Sequence, residues 1–287
     1  MQSNRQPGFL LILTVALMGL LPCGCEKPKS DVAVNLRAST AEKATMNIER
    51  DTGFNDASIS KLIRIAEFAL AENDIDTVTK SMTEFQNRDS KPWGSKMEAA
   101  RILYATGDMK GAVALYDEVL QEQPDIKPLL WQRGLALYYV GEFEKGVDQF
   151  DTHQTYNSQD VENSVWQLLC QSKLTSVDEA RKTMIQIEKD STIPMKQIFD
   201  MFAGTGSPQD VFDACGYQED MEPRDDSSIY HGLFYVGLFY EMTGDVEASN
   251  RFMIKSLSFK PIIPGLMGHV AEGHLRARKA YPDDQDN

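Results

Sequence analysis

From about residue 57 to residue 279, apolar residues recur three and four apart, and no stretch alternates apolar with polar residues as a half-buried strand would. The pattern predicts an all-α chain of amphipathic helices. Short polar breaks punctuate it: "AENDIDTV", "ATGDMKGA" and "YVGEFEKG" each place a turn between two such helices. Residues 25–56 are largely polar and read as a tether, in which Ser39 and Glu42 have capping-box spacing and predict a short helix over Thr40–Glu49. A further helix is expected near Gly265–Lys279, and residues 280–287 form an acidic tail with no apolar periodicity.

The breaks are periodic. Asn73, Gly107 and Gly141 stand 34 residues apart, and "MTGDVEAS" places Gly244 another 103 residues on, three periods plus one residue. Thr175 falls at the intermediate phase, with Ala180 where the second helix needs a small residue. A 34-residue helix–turn–helix period is the tetratricopeptide signature, so the fold class is a helical array (α-solenoid) of hairpin units. Copies at 93–126, 127–160 and 230–263 carry Ala100, Gly134 and Gly237 at the small first-helix position. Ala112 and Gly146 are the small second-helix residues, Tyr116 and Phe150 the large ones, and Pro124 and Pro261 end second helices. Arg133 replaces the usual Leu and Ser249 the usual Ala. The segments are therefore three repeats over 57–160, degenerate hairpins over 161–229, and a repeat plus C-terminal helix over 230–279.

The N-terminus changes the picture. Phe9–Leu21 is a 13-residue apolar run preceded by Arg5. It is too short to span a bilayer, which takes about 20 residues, and it has the form of a secretory signal over residues 1–24. "GLLPCGCEKPKS" follows. Gly24 supplies the small residue that a lipoprotein signal places before its cysteine, which favours Cys25 as the lipidated residue. Cys23 has Pro22 before it but Leu20 at the position where a leucine is usual, so it is the alternative. A C-x-C metal site finds no further ligands nearby. Two or more acyl chains, such as palmitate, anchor a protein stably to a membrane. Glu26, rather than Asp, after Cys25 favours the periplasmic face of the outer membrane over the inner membrane. The remaining thiols, Cys170 and Cys215, read as packed cysteines or as a disulfide.

The arrangement resembles the new lipoprotein I family, tetratricopeptide lipoproteins of Gram-negative envelopes. The likeness is carried by "WQRGLALYYVGEFEKGVDQF", "VWQLL", "FYVGLFYEMTGDVEASNRFMIKSL" and "DDQDN", and covers most of residues 57–287. The resemblance implies a homodimeric scaffold, with the Thr40–Glu49 helix as a swap element. It also implies docking of a periplasmic C-terminal-processing protease and of peptidoglycan hydrolases brought to it for degradation. A tetratricopeptide lipoprotein assisting outer-membrane protein or pilus assembly is the alternative.

Charge and motifs bear on the remaining classes. Lys plus Arg is 29 against 43 acidic residues, a formal charge of −14, with no basic cluster for nucleic acid. "DTG" at Asp51–Gly53 lacks the apolar strand setting of an aspartic protease. "GTGSPQD" reads as a helix start, with Ser207 as N-cap, Pro208 at N1 and Asp210 at N3. His153, His231, His269 and His274 lack metal-ligand spacing, so no metal, cofactor or catalytic residue is expected, and the chain reads as a non-enzymatic adaptor. Such arrays bind through the groove lined by first helices. Phasing turns Met97, Arg101, Tyr104, Trp131, Tyr138, Tyr139, Phe234 and Glu241 toward it. Only Arg101 among them is basic, so a carboxylate clamp is not assembled.

Overall fold

A computed structural model describes residues 54–261 and 266–282, all within one compact unit spanning Ser39–Asn287. The signal, Cys23, Cys25 and the Thr40–Glu49 helix lie outside the described residues, as do 283–287. The described chain is an all-α helical repeat array. Its helices are α1 (Ile59–Ala71), α2 (Ile75–Gln86), α3 (Trp93–Ala105), α4 (Met109–Glu122), α5 (Trp131–Val140), α6 (Phe143–Gln154), α7 (Val161–Leu174) and α8 (Val177–Lys182). They continue with α9 (Met195–Ala203), α10 (Pro208–Cys215), α11 (Ser227–Thr243), α12 (Val246–Leu257) and α13 (Val270–Ala277). Short 3-10 turns cover Pro124–Leu129 and Leu266–His269. Consecutive helices pack as hairpins, α1 on α2, α3 on α4, α5 on α6 and α11 on α12.

One backbone device closes the four regular hairpins. Asn73, Gly107, Gly141 and Gly244 have φ of +56°, +83°, +82° and +91°. Each lets the next residue's N–H reach back five residues: Asp74 to Ala69 O, Asp108 to Leu103 O, Glu142 to Leu137 O and Asp245 to Tyr240 O, at 2.8–3.0 Å. This is the Schellman closure, for which glycine carries no Cβ penalty and asparagine a small one. The following aspartates then cap the second helices, each side chain accepting from the N–H three residues on. Glu142 makes no such side-chain bond. Thr175 departs from the pattern: its φ is −128° and its N–H bonds Gln171 O, four residues back. A β-branched residue is strained at positive φ, and the short α8 and the non-helical stretch after it follow this different turn.

The small positions are tight. A Cβ on Gly134 would lie 2.5 Å from the Phe150 ring, so α5 and α6 approach at this distance only because the residue is glycine. Arg133, where Leu is usual, is buried without stranding its charge: Nε donates to Asp117 at 2.6 Å and Nη1 to Gln149 at 3.3 Å. Ser249 is buried with its hydroxyl unpartnered. Ser207 and Asp210 form a reciprocal capping box at the start of α10, as the sequence indicates.

Two features set the inner side of the array. Helix α11 is buried on every side from Gly232 to Leu238, as befits a helix that is apolar all round. Helix α13 returns from the far end of the chain to pack on α3. A Cβ on Gly273 would fall 2.5 Å from the Tyr104 ring and 2.7 Å from the Tyr104 carbonyl oxygen. Beside it Arg276 donates to Ala105 O at 2.7 Å, satisfying a carbonyl at the end of α3, and to Asn73 Oδ1 at 2.5 Å. In an exposed helix, Gly→Ala stabilises by about 1 kcal/mol. Here overpacking reverses the sign: Gly273→Ala is expected to cost about 2 kcal/mol, read as a lowered unfolding midpoint with faster proteolysis at the C-terminal end.

Candidate interaction surfaces

The first-helix residues expected to line an open groove divide into two groups. Tyr104 (0% exposed), Tyr138 (2%) and Phe234 (0%) are buried, and Tyr139 and Glu241 join them in one cluster. This corrects the expectation of accessibility for Tyr104, Tyr138 and Phe234, because α11 and α13 of the same chain fill the inner face; Tyr139 and Glu241 are half-buried. Met97, Arg101 and Trp131 stay partly exposed away from that cluster. Arg101 pairs with Glu67 and, at 3.0 Å, with Glu98.

The cluster is built around a carboxylate. Glu241, on α11, accepts from the Tyr138 hydroxyl at 2.6 Å and from Arg278 Nη2 at 2.6 Å on one oxygen. Arg278 Nε, at 3.2 Å, and His274 Nε2, at 3.3 Å, face the other. His274 Nδ1 lies 3.0 Å from the Tyr139 hydroxyl. The rings pack edge to face, Tyr104 to Tyr139 at 5.9 Å and Tyr138 to Trp166 at 5.6 Å, with the Arg278 guanidinium 5.1 Å from the Tyr139 centroid.

Burial pushes the Glu241 carboxyl up, but the Arg278 hydrogen bonds and the charges around it win, and it sits at about 2. Burial lowers His274 to about 4, so the imidazole is neutral at pH 7. Nδ1 shares a hydrogen bond with the Tyr139 hydroxyl, whereas Nε2, buried 3.3 Å from Glu241, has no hydrogen-bond partner. Burial first, then Glu241, drives the Tyr138 and Tyr139 hydroxyls upward, keeping them protonated donors. The arrangement holds α5, α11 and α13 together.

A second, half-buried carboxyl meets the middle of α11. Glu162, at the start of α7, accepts from the Tyr235 hydroxyl at 2.7 Å. Burial, with Asp160 beside it, raises its pKa.

On the outside, between α10 and α12, is an open cavity of about 550 Å³ lined by Gln209, Phe212, Asp213, Tyr217, Glu219 and Phe252, among others. Among the described residues no group of three or more His, Cys, Asp and Glu residues is placed to hold a metal. Each histidine has a local partner: His153 bonds Pro128 O at 2.7 Å, His231 bonds Ser227 O at 2.8 Å, and His269 lies 2.6 Å from Glu272. Cys170 and Cys215 are free thiols, both with pKa raised by burial. Among the described residues no helix is long and apolar enough to cross a membrane.

Spacing carried no sign of His274 or Arg278, which meet their partners only through the fold. The unbroken apolar run "GLFYVGLFY" in α11 was the available signal that this helix is surrounded.

Glu241→Ala leaves the Tyr138 hydroxyl without its acceptor, while Arg278, exposed to solvent, can be hydrated in its place. The substitution is expected to cost about 1–2 kcal/mol, or roughly 2–8 °C in unfolding midpoint at pH 7. Acid weakens the same cluster. Between pH 6.5 and about 4 the unfolded chain protonates His274 while the folded chain does not, so its contribution is lost as pH falls through that window. Glu241 adds a further loss from pH 4.5 toward 2. The deficit of Glu241→Ala relative to wild type should therefore shrink below pH 4.5 in thermal melts.

Glu162 has the opposite sign: its folded pKa is raised, so its contribution is lost as pH rises above the ordinary carboxyl value of 4.5. Glu162→Gln keeps an acceptor for Tyr235 without the charge. It should raise the midpoint at pH 8 and leave it nearly unchanged at pH 5.

No family model matches the chain, and no curated protein matches it in sequence. Among solved structures it is similar to a tetratricopeptide repeat protein from Parabacteroides merdae ATCC 43184, with 14% identity over 81% of this chain and 89% of that one, and a TM-score of 0.44.

Proposed function

We propose that this chain is a lipid-anchored envelope scaffold that binds protein partners through its helical repeats and performs no chemistry of its own. The observation that carries the reading is the recurrence of one hairpin closure at Asn73, Gly107, Gly141 and Gly244. Arrays of such hairpins bury their apolar faces against neighbours and present extended surfaces to other proteins. The signal-like Phe9–Leu21 run and Gly24–Cys25 support an exported, acylated chain, and residues 26–56 supply reach from the membrane.

The finer reading is an adaptor that brings peptidoglycan hydrolases to a periplasmic C-terminal-processing protease, most simply as a homodimer at the outer membrane. The resemblance to new lipoprotein I supports it. Co-localising protease and substrate raises their effective concentration without a catalytic group on the scaffold. With α11 and α13 filling the inner face, the partner surfaces in this reading are the rim around Met97, Arg101 and Trp131 and the outer helices.

Two measurements test the proposal. Affinity capture of the full chain from detergent-solubilised envelopes should recover a periplasmic protease and at least one cell-wall hydrolase. Recovery of neither removes the adaptor reading. Metabolic labelling with an alkynyl fatty acid should mark the wild-type chain and not Cys25→Ser. Label retained in Cys25→Ser but lost in Cys23→Ser moves the anchor to Cys23.

A further inference from the structure

The cavity between α10 and α12 plays no part in holding the array closed. Its wall is a bent row of aromatic rings. Phe212 stands between Tyr217, at 5.2 Å and 57°, and Phe252, at 5.4 Å and 40°, so the three rings form a concave surface. Tyr217 is further backed by Phe259 edge-on at 6.1 Å, and Phe252 by Tyr240 stacked at 5.5 Å. Tyr217 and Phe252 are each 8% exposed, so the wall is held by packing and needs no partner to form.

The rim is acidic and amide-bearing: Asp213 and Gln209 on α10, Gln218 and Glu219 on the following loop. Its side chains are oriented. Gln209 donates to Asp213 Oδ1 at 2.7 Å, and the Tyr217 hydroxyl donates to Glu219 Oε2 at 2.9 Å. The nearby Lys255 ammonium binds the Glu219 backbone carbonyl at 3.1 Å, and among the described residues neither carboxylate is in an ion pair. No Lys or Arg lines the cavity. At Gly216, on the lip, an added Cβ would meet nothing within 4 Å, so the mouth is open there. The volume, about 550 Å³, is within the range of sites that enclose a ligand group. It exceeds the needs of one side chain and leaves room for flanking backbone.

Aromatic faces with carboxylates at the rim are the chemistry that recognises a cation, through the ring quadrupole and charge-assisted hydrogen bonds. The guanidinium of Arg251 already takes Phe252, 4.9 Å from its centroid, so the ring left to an incoming cation is Phe212, half-buried where Tyr217 and Phe252 are buried. We propose that this cavity receives a basic side chain, arginine or lysine, from the surface of a protein partner. The charge of −14 on the whole chain favours approach of such a partner, and the wide mouth suits a side chain borne on a folded surface. The proposal rests on the scaffold reading and adds to it a place and a chemistry for docking.

The test titrates the full chain, released from its lipid in detergent, with the blocked peptides acetyl-Gly-Arg-Gly-amide, its lysine counterpart and its neutral citrulline counterpart. Binding is followed by calorimetry and by NMR shifts of the Phe212, Tyr217 and Phe252 rings. The basic peptides should bind saturably in the millimolar range, more weakly at high salt, while the citrulline peptide should not bind. Asp213→Asn with Glu219→Gln removes both charges, keeps the hydrogen bonds and leaves the packed rings untouched. It should weaken binding at least about tenfold with an unchanged unfolding midpoint.

Equal binding of arginine and citrulline peptides, or no ring shifts, overturns the proposal. So does binding of spermidine without binding of the blocked peptides, which would make the occupant a free polyamine. Envelope capture separates this from the scaffold reading. If wild type and the double variant recover the same partners in the same amounts, the cavity proposal fails and the scaffold reading stands. If wild type recovers none, the scaffold reading fails whatever the peptides do.

Discussion

The seat of α13 on α3 is the contact on which the inner side of the array depends. It requires a residue without a Cβ at Gly273, because the Tyr104 ring and carbonyl occupy the space any side chain would need. Once α13 is seated, His274 faces Tyr139 and Arg278 reaches Glu241, which α11 presents toward Tyr138. A lone buried carboxylate would be costly to desolvate. Surrounded by a guanidinium, a phenol and an imidazole, it is held ionised and its desolvation is offset by the groups it gathers. Steric fit and the charge network act in the same place: with α13 in this seat, His274 meets Tyr139 and Arg278 meets Glu241.

Closure has a functional consequence. In an open array the aromatic residues of the first helices would be the natural contact surface. Here Tyr104, Tyr138 and Phe234 are spent on internal packing. The accessible chemistry lies elsewhere, at the partly exposed rim around Arg101 and at the aromatic, acid-rimmed cavity formed by α10 and α12. The degenerate middle of the array, where the hairpin phase is lost, thus contributes one wall of this cavity, and Phe252 of the following repeat the other.

Much of the architecture was legible residue by residue. The turns at Asn73, Gly107, Gly141 and Gly244 were marked because a left-handed backbone position selects glycine or asparagine. The buried Gly134 facing Phe150 was marked because two helices approach there closely. Arg133 was a departure from the repeat that proved to be paired with Asp117 rather than exposed. Thr175 had the right phase but not the right backbone, since its side chain disfavours the positive φ of its counterparts. The filling of the groove is not legible there, because phasing along one helix tells which residues share a face and says nothing of what packs on that face.

The sequence by itself determined the helices, their pairing into hairpins and the 34-residue phase, because these follow from interactions between residues a few positions apart, which leave a periodic trace. The tertiary structure alone decided that the inner face is filled, that Glu241 is a half-buried, paired anion, and that Phe212, Tyr217 and Phe252 form a wall. The contacts that fill the inner face join residues 103, 135, 171 and 203 positions apart, and the wall brings Phe212 to Phe252 from the next hairpin. At such separations no repeat spacing constrains which residue meets which. The partners are chosen by where the stacked helices bring the chain's far end, and that position is a property of the whole array.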